Sequence, residues 1–334
     1  MIVHTDPVFE YSYRPVVLGD VDELAAVQTI SDSRDGSTWA TTPRQFEELL
    51  LKPHVDLGRD TIAVTDASGM IVAFGFATYS HGDGVDPFVQ LTGSTHPAHR
   101  GRGLGSHMVA HLETVGRDHL ERNGVLQRGG IRTFVFEGDT NRGMLLAERG
   151  FTVVRISNEM SFTLPVLTEP RTVAGVDIVG WDDVDVADLY RVGREAFRGQ
   201  YAVEPMEFEE WTEYNTYPGF RPDLSFVALD EEGAVLGLSS NYVDAADFDV
   251  SGRKEGWIGQ LAVSPAARGR GIGSCLCEHS FAAFRHAGLV YAMLTVDTDS
   301  SAGALSLYEG LGFERLHASA VYEKRFEPGT GPRR

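Results

Sequence analysis

Arg100-Gly101-Arg102-Gly103-Leu104-Gly105-Ser106 returns 168 residues later as Arg268-Gly269-Arg270-Gly271-Ile272-Gly273-Ser274, identical at six of seven positions. A proline stands three residues upstream of each copy, Pro97 and Pro265. Downstream, Gly150-Phe151 returns as Gly312-Phe313 at an offset of 162, so the second copy is six residues shorter between these landmarks. Self-similarity at such a period reads as two copies of one domain. The copies are expected at 1–165 and 172–327, followed by a disordered tail, 328–334. Their junction falls in Leu164–Gly175, where two prolines and a glycine interrupt the apolar periodicity.

Each half has the same order of elements, a mixed α/β pattern. In the first, Asp20–Ile30 has helical spacing, Asp60–Thr65 and Met70–Tyr79 read as a hairpin, and Phe88–Thr95 runs straight into the glycine loop. A long helix over Gly103–Asn123, a strand over Ile131–Phe136 and a short helix over Asn141–Arg149 follow. The second half repeats this. Val184–Phe197 is a helix, Ser225–Leu229 and Ala234–Tyr242 pair, and Trp257–Val263 enters the loop. Then come a helix over Gly271–Ala287, a strand over Val290–Val296, a helix over Ala302–Gly310 and a closing strand over Ala320–Phe326.

The 334 residues carry 29 Lys+Arg against 48 Asp+Glu, a net charge of −19. Such a surface repels polyanions, so binding of a whole nucleic acid or an acidic membrane is not expected. The partners left are small molecules, and the chain is expected to act as a monomer or homodimer. No apolar run reaches the length of a membrane span, and the N-terminus lacks the pattern of a secretory signal. The two cysteines, Cys275 and Cys277, stand two apart on one expected helix, where side chains diverge. They are poor disulfide partners, which fits a reducing, cytoplasmic setting.

A strand that ends in Arg-Gly-Arg-Gly-x-Gly and opens a helix gathers free backbone N–H groups around one point. The glycines allow the tight turn, and the helix N-terminus adds partial positive charge, a combination that binds phosphate or pyrophosphate. Arg100, Arg102, Arg268 and Arg270 are placed to add charge-assisted contacts. The loop is neither a dinucleotide fingerprint, whose third glycine would fall at Ser106 or Ser274, nor a Walker loop, since it has no lysine. A lone glycine-rich stretch is often just a turn; two in register, each after a strand and before a helix, are harder to read that way.

With Arg268, Gly271 and Gly273 after a strand, and Leu307-Tyr308-Glu309-Gly310-Leu311-Gly312-Phe313 on a later helix, the second copy resembles the GNAT superfamily of acyl-CoA-dependent N-acetyltransferases. The first copy matches through Arg100, Gly103, Gly105 and its Gly-Phe ending. The tandem layout is similar to that of the mycothiol synthases. The resemblance implies direct attack of an amine on the thioester of acetyl-CoA, without metal. It implies a cofactor site made by Arg268, Gly269, Arg270, Gly271, Ile272, Gly273 and Ser274, and in the first copy by Arg100, Gly101, Arg102, Gly103, Leu104 and Gly105. It places the thioester carbonyl against a bulged Leu261-Ala262-Val263 backbone and makes Tyr308 the acid for the leaving thiolate. Glu255 is the first candidate for the base and Asp297 the second. Ser301 stands where the family often has a CoA-contacting asparagine.

Counting back five from Phe151, as Tyr308 lies five before Phe313, lands on Leu146, which has no proton to give. The first copy is therefore expected to bind CoA or act as scaffold while the second does the chemistry. The rival readings are a mycothiol-synthase-like acceptor, the amine of a glucosamine-inositol-cysteine conjugate, and a non-catalytic acyl-CoA-binding regulatory module. Trp211, Tyr214 and Tyr217 are candidates for an acceptor cleft, with core packing as the equal alternative.

Overall fold

The computed structural model describes residues 11–36, 41–52, 54–80, 86–166, 169–198, 207–216, 219–244, 248, 252–298 and 303–326. Ser301, Tyr217 and the 328–334 tail lie outside the described residues. None of the described helices is long and apolar enough to cross a membrane. The described residues form two compact units, and the chain does not divide between them at 165–172. One unit holds the residues up to Arg155 together with those from Ser319 onward; the other holds Ile156–Ala318.

The first unit contains β1 (Ser12–Arg14), α1 (Val21–Asp35), α2 (Pro43–Leu50), α3 (Leu57–Asp60), β2 (Thr61–Thr65), β3 (Ile71–Ser80), β4 (Phe88–Thr95), α4 (Leu104–Arg122), β5 (Gly130–Phe136) and α5 (Thr140–Glu148). The strands β1 to β4 pair antiparallel in sequence order, and α4 carries the chain back so that β5 lies parallel to β4. Helix starts follow local chemistry. Thr42 and Gln45 form a capping box ahead of Pro43, and the Asp139 side chain accepts from the Arg142 N–H. One face of the sheet is covered by α4 through Leu104, Met108, Leu112 and Leu120, the other by α1 and α2 through Leu24, Val27 and Phe46 against Phe74 and Phe76.

The second unit repeats the plan with β7 (Asp177–Gly180), α6 (Val186–Phe197), α7 (Phe208–Tyr214), β8 (Phe226–Leu229), β9 (Val235–Tyr242), β10 (Glu255–Val263), α8 (Ile272–His286), β11 (Tyr291–Asp297) and α9 (Ala304–Gly310). Again only β10 and β11 run parallel, joined through α8. Cys275 and Cys277 are free and buried on α8.

The boundary moves because each copy gives its last strand to the other unit. In β6 (Thr152–Thr163), Ser157–Thr163 pairs antiparallel with β11; in β12 (Glu314–Arg325), Ser319–Arg325 pairs antiparallel with β5. Val154, Ile156, Met160 and Phe162 alternate through β6, a period-two signal that the sequence reading passed over. Without these strands, β5 and β11 would each leave a row of backbone groups unpaired.

An arginine–glutamate pair, buried in the first unit and half-buried in the second, pins the exchanged strand in each. In the first, Arg132 on β5 donates to Glu323 on β12, Arg325 donates to the same carboxylate, and Arg132 lies 4.4 Å from the centroid of the Phe88 ring. In the second, Arg253 donates to Glu255 and, at 2.6 Å, to Ser161 Oγ on β6, and it lies 3.8 Å from the centroid of Tyr291. Removing one partner of a buried pair leaves an uncompensated charge, so Glu323→Ala is expected to lower the unfolding free energy of the first unit by about 3–5 kcal/mol. Replacing Arg132 and Glu323 together with apolar residues is expected to cost much less. Urea denaturation of the two variants checks this.

Candidate active site

The two glycine loops have the same backbone. Gly101 and Gly269 have φ of 73° and 76°, and Gly103 and Gly271 have φ of 83° and 85°, values that a side chain disfavours. Each loop follows a 3-10 turn, Pro97–His99 or Pro265–Ala267, and each hands its last left-handed glycine to a helix N-terminus, α4 at Leu104 or α8 at Ile272. The free N–H groups of the first helical turn therefore gather at the loop. The third glycine brings the next helix close. A Cβ on Gly105 would lie 3.6 Å from Leu145, and one on Gly273 would lie 3.3 Å from Leu307.

Beside each loop the parallel strands part. Pairing of β4 with β5 ends at Leu91–Thr133 although the strands run on to Thr95 and Phe136. Pairing of β10 with β11 ends at Trp257–Met293 although those strands reach Val263 and Asp297. In the first unit the gap opens into a cavity of about 470 Å³, with Leu91–Thr95, the loop and Arg142 in its walls. That volume is in the range of small-molecule sites.

The bulge expected at Leu261–Val263 sits earlier. Those three residues keep regular register with Ser239, Leu238 and Gly237, and the shift falls between Ile258 and Gln260. Gly259 is the extra residue, and a Cβ there would overlap the ring of Tyr242, with the Tyr214 hydroxyl 3.4 Å away. The β3–β4 ladder of the first unit runs without such a shift. Trp211 is buried and donates to Gln260 Oε1 at 3.2 Å, while the Tyr214 ring packs at a tilt against Tyr242. Trp211 is therefore core, whereas Tyr214 stands beside the bulge.

The first arginine of each loop turns away from the anion position. Arg100 makes a two-pronged pair with Asp35 at 2.6 and 2.7 Å and donates to Ser31 Oγ and the Thr95 carbonyl. Arg268 does the equivalent work, donating to the carbonyls of Ala196 and Val263. Both tie the loop to the C-terminal end of the helix that opens their half, because the strand end and that helix lie on the same side of the turn. Arg102 donates to the Tyr11 hydroxyl at 3.0 Å, and Arg270 is exposed. Ser274 stands in the first turn of α8.

Glu255 is almost fully buried at the start of β10, its carboxylate engaged by Arg253. About 25 Å of extended strand separates it from Val263. The structure thus gives this glutamate a place in the fold, and the assignment of the base to it loses its support. Asp297 ends β11 at the splayed side, half-buried. Tyr308 lies on α9 against Phe313, 5.8 Å between ring centroids, within the cluster that includes Cys277 on α8. Its hydroxyl makes no hydrogen bond among the described residues, and burial pushes its pKa up, so the phenol keeps its proton. Leu146 fills the corresponding place in the first unit's core.

The sequence reading missed two residues of the first unit. Arg142 stands nine before Phe151, where the second copy has Ala304 nine before Phe313, so comparison of the copies carried the signal. Asp32 on α1 is buried, which raises its carboxyl to about 6 despite a hydrogen bond from Gln28 and the nearby charges of Arg142 and Arg100. No composition or spacing signal marked it. Among the described residues, no three His, Cys, Asp or Glu side chains converge as a metal site.

A parallel strand pair parts beside a glycine loop and a helix N-terminus once in each half. Residues 186–313 match the Acetyltransferase (GNAT) family. A mycothiol acetyltransferase of Nocardiopsis dassonvillei is 26% identical, with 92% of this chain and 96% of the relative covered. One from Frankia casuarinae is likewise 26% identical, covering 93% and 96%. Among solved structures, a GCN5-related N-acetyltransferase from Sphaerobacter thermophilus superposes with a TM-score of 0.76 at 23% identity over 96% of both chains. A tandem GNAT protein from the clavulanic acid biosynthesis pathway gives 0.71 at 16% identity, covering 96% of this chain and all of that one. The GNAT family match thus covers the second half of the chain, and over its whole length the chain is similar to tandem-domain GNAT proteins.

The Asp32 carboxyl gives a pH test. Its folded-state value lies above the ordinary 3.8, so the folded chain holds the proton more tightly. The cost of charging it is absent below about pH 4, grows through pH 6 and is constant above. Asp32→Asn keeps the bond from Gln28 and is expected to raise stability near pH 7.5 by about 2–3 kcal/mol. The gain should fade towards pH 4 in urea denaturation.

Proposed function

We propose that the second unit transfers acetyl from acetyl-CoA to a small-molecule amine, with the first unit binding CoA without turnover. The observation that carries this reading is the protonated, unengaged hydroxyl of Tyr308, on the helix that packs against the loop helix of the same unit. The first unit has leucine at that position.

The loop from Arg268 to Ser274 would hold the pyrophosphate through backbone N–H groups, while the strand edge left open beyond Trp257 gives the pantetheine arm an extended partner. The neutral amine attacks the thioester carbonyl. Backbone around the Gly259 bulge, freed from the ladder, is placed to donate to the oxyanion. As the tetrahedral intermediate collapses, the C–S bond breaks and the thiolate takes the Tyr308 proton. The proton lost by the amine passes to a base, directly or through water, and Asp297 at the splayed end of β11 is the remaining candidate. The chemistry needs no metal.

The full-length relatives are named for mycothiol, which favours the cysteine amine of a glucosamine-inositol-cysteine conjugate as acceptor. The Gly259 bulge with Tyr214 beside it is where such an acceptor would approach. The acidic surface suits a small amine better than a nucleic acid or membrane, and a cytoplasmic monomer or homodimer fits the same reading.

The test is CoA-thiol release with that conjugate beside polyamines, aminoglycosides, amino acids and a basic peptide. Tyr308→Phe is expected to lower kcat about 100-fold, with the KM for acetyl-CoA little changed. Full activity of Tyr308→Phe at all pH values would remove the assignment. Release with polyamines but not the conjugate would remove the acceptor.

A further inference from the structure

Two of the differences between the short helices of the units bear on the slot. Leucine replaces tyrosine, Leu146 for Tyr308, and arginine replaces alanine, Arg142 for Ala304. The first change removes a proton donor. The second adds a fixed positive charge to the wall of a cavity of about 470 Å³.

Arg142 is held at the fork of the splay. Its Nη2 donates to Thr133 Oγ1 at 3.3 Å, and Thr133 is the last β5 residue in register with β4. Among the described residues this is the side chain's one hydrogen bond, and it forms no ion pair. The neighbouring acids have other partners. Asp35 is taken by Arg100, Asp32 accepts from Gln28, and Asp139 caps α5 through the Arg142 backbone N–H. A guanidinium offers five donors in a fork that matches a carboxylate two at a time. Arg142 lines the cavity with most of that capacity unused among the described residues, on the helix that corresponds to the one carrying Tyr308 in the second unit.

We propose that the first unit's slot binds a CoA thioester whose acyl group ends in a carboxylate, with Arg142 clamping that carboxylate and Leu146 leaving the thioester intact. This rests on the reading that the first unit binds CoA. The loop from Arg100 to Ser106 holds the pyrophosphate, and the acyl chain ends at the fork. A short dicarboxylic acyl group, such as malonyl or succinyl, supplies the charge. The neutral acetyl group leaves the guanidinium without a partner.

Calorimetric titration of the full chain with CoA, acetyl-CoA and succinyl-CoA, without acceptor, tests this. Two sites are expected for each ligand, one of them preferring succinyl-CoA over acetyl-CoA by about ten-fold. In Arg142→Ala, which copies the second unit, both sites should remain and the preference should vanish. Arg142→Lys keeps the charge without the fork and should retain only part of it. Two sites with no preference, or a preference that survives Arg142→Ala, would overturn the proposal and leave the two-site reading standing. A single site for acetyl-CoA and succinyl-CoA alike would overturn both. Circular dichroism of each variant confirms that a lost preference is not lost folding.

Discussion

Two parallel strands that stop pairing partway along are the constraint on which this molecule turns. Backbone N–H and C=O groups seek partners, and a strand edge left open inside a folded unit is tolerated where something else fills it. In both units the opening lies beside a left-handed glycine turn and the start of a long helix, so free donors, an open edge and partial positive charge meet at one place. A pyrophosphate with an extended amide-bearing arm matches that set. The α/β class, the helix that carries the chain between parallel strands, and the third glycine that lets the next helix close in all serve the same opening.

Much of this was legible in the chain because it is written twice. The repeated loops, the proline three residues before them and the Gly-Phe pairs fixed the element order and located both turns. Local chemistry was sufficient there, since a left-handed turn calls for glycine and a helix start tolerates proline. What stayed hidden was long-range. The alternation in Thr152–Thr163 marks a strand, but nothing local states that this strand pairs with β11 in the other copy. Glu255 at a strand start could be read as a base or as a solvated carboxylate; Arg253, two residues before it, folds over it only in three dimensions. Arg100 and Arg268 looked like phosphate ligands, yet each is drawn to a helix end more than sixty residues away in the chain. The bulge was expected in the right strand and lies at Gly259 because only a glycine passes under Tyr242.

The two halves show how one scaffold supports different sites. The loops, splay and helices are alike, while corresponding side chains on the short helix after the parallel strand are not: Tyr308 and Ala304 in one unit, Leu146 and Arg142 in the other. On the proposed reading, the fold sets where a thioester would lie, and a few positions on one short helix would set what happens to it.

The exchange of last strands also orders events in time. A ribosome delivers β1 to β5 first, but the strand that closes their sheet, Ser319–Arg325, emerges only after the whole second copy has been made. Until it emerges, β5 presents an open edge, the kind of surface that pairs with a neighbouring chain in a crowded cell. In the folded sheet Arg132 is matched by Glu323 beside Phe88, so a strand pairing there without that carboxylate would leave a buried cation uncompensated. The ion pair that pins the finished sheet thus also favours the one strand that carries the matching carboxylate.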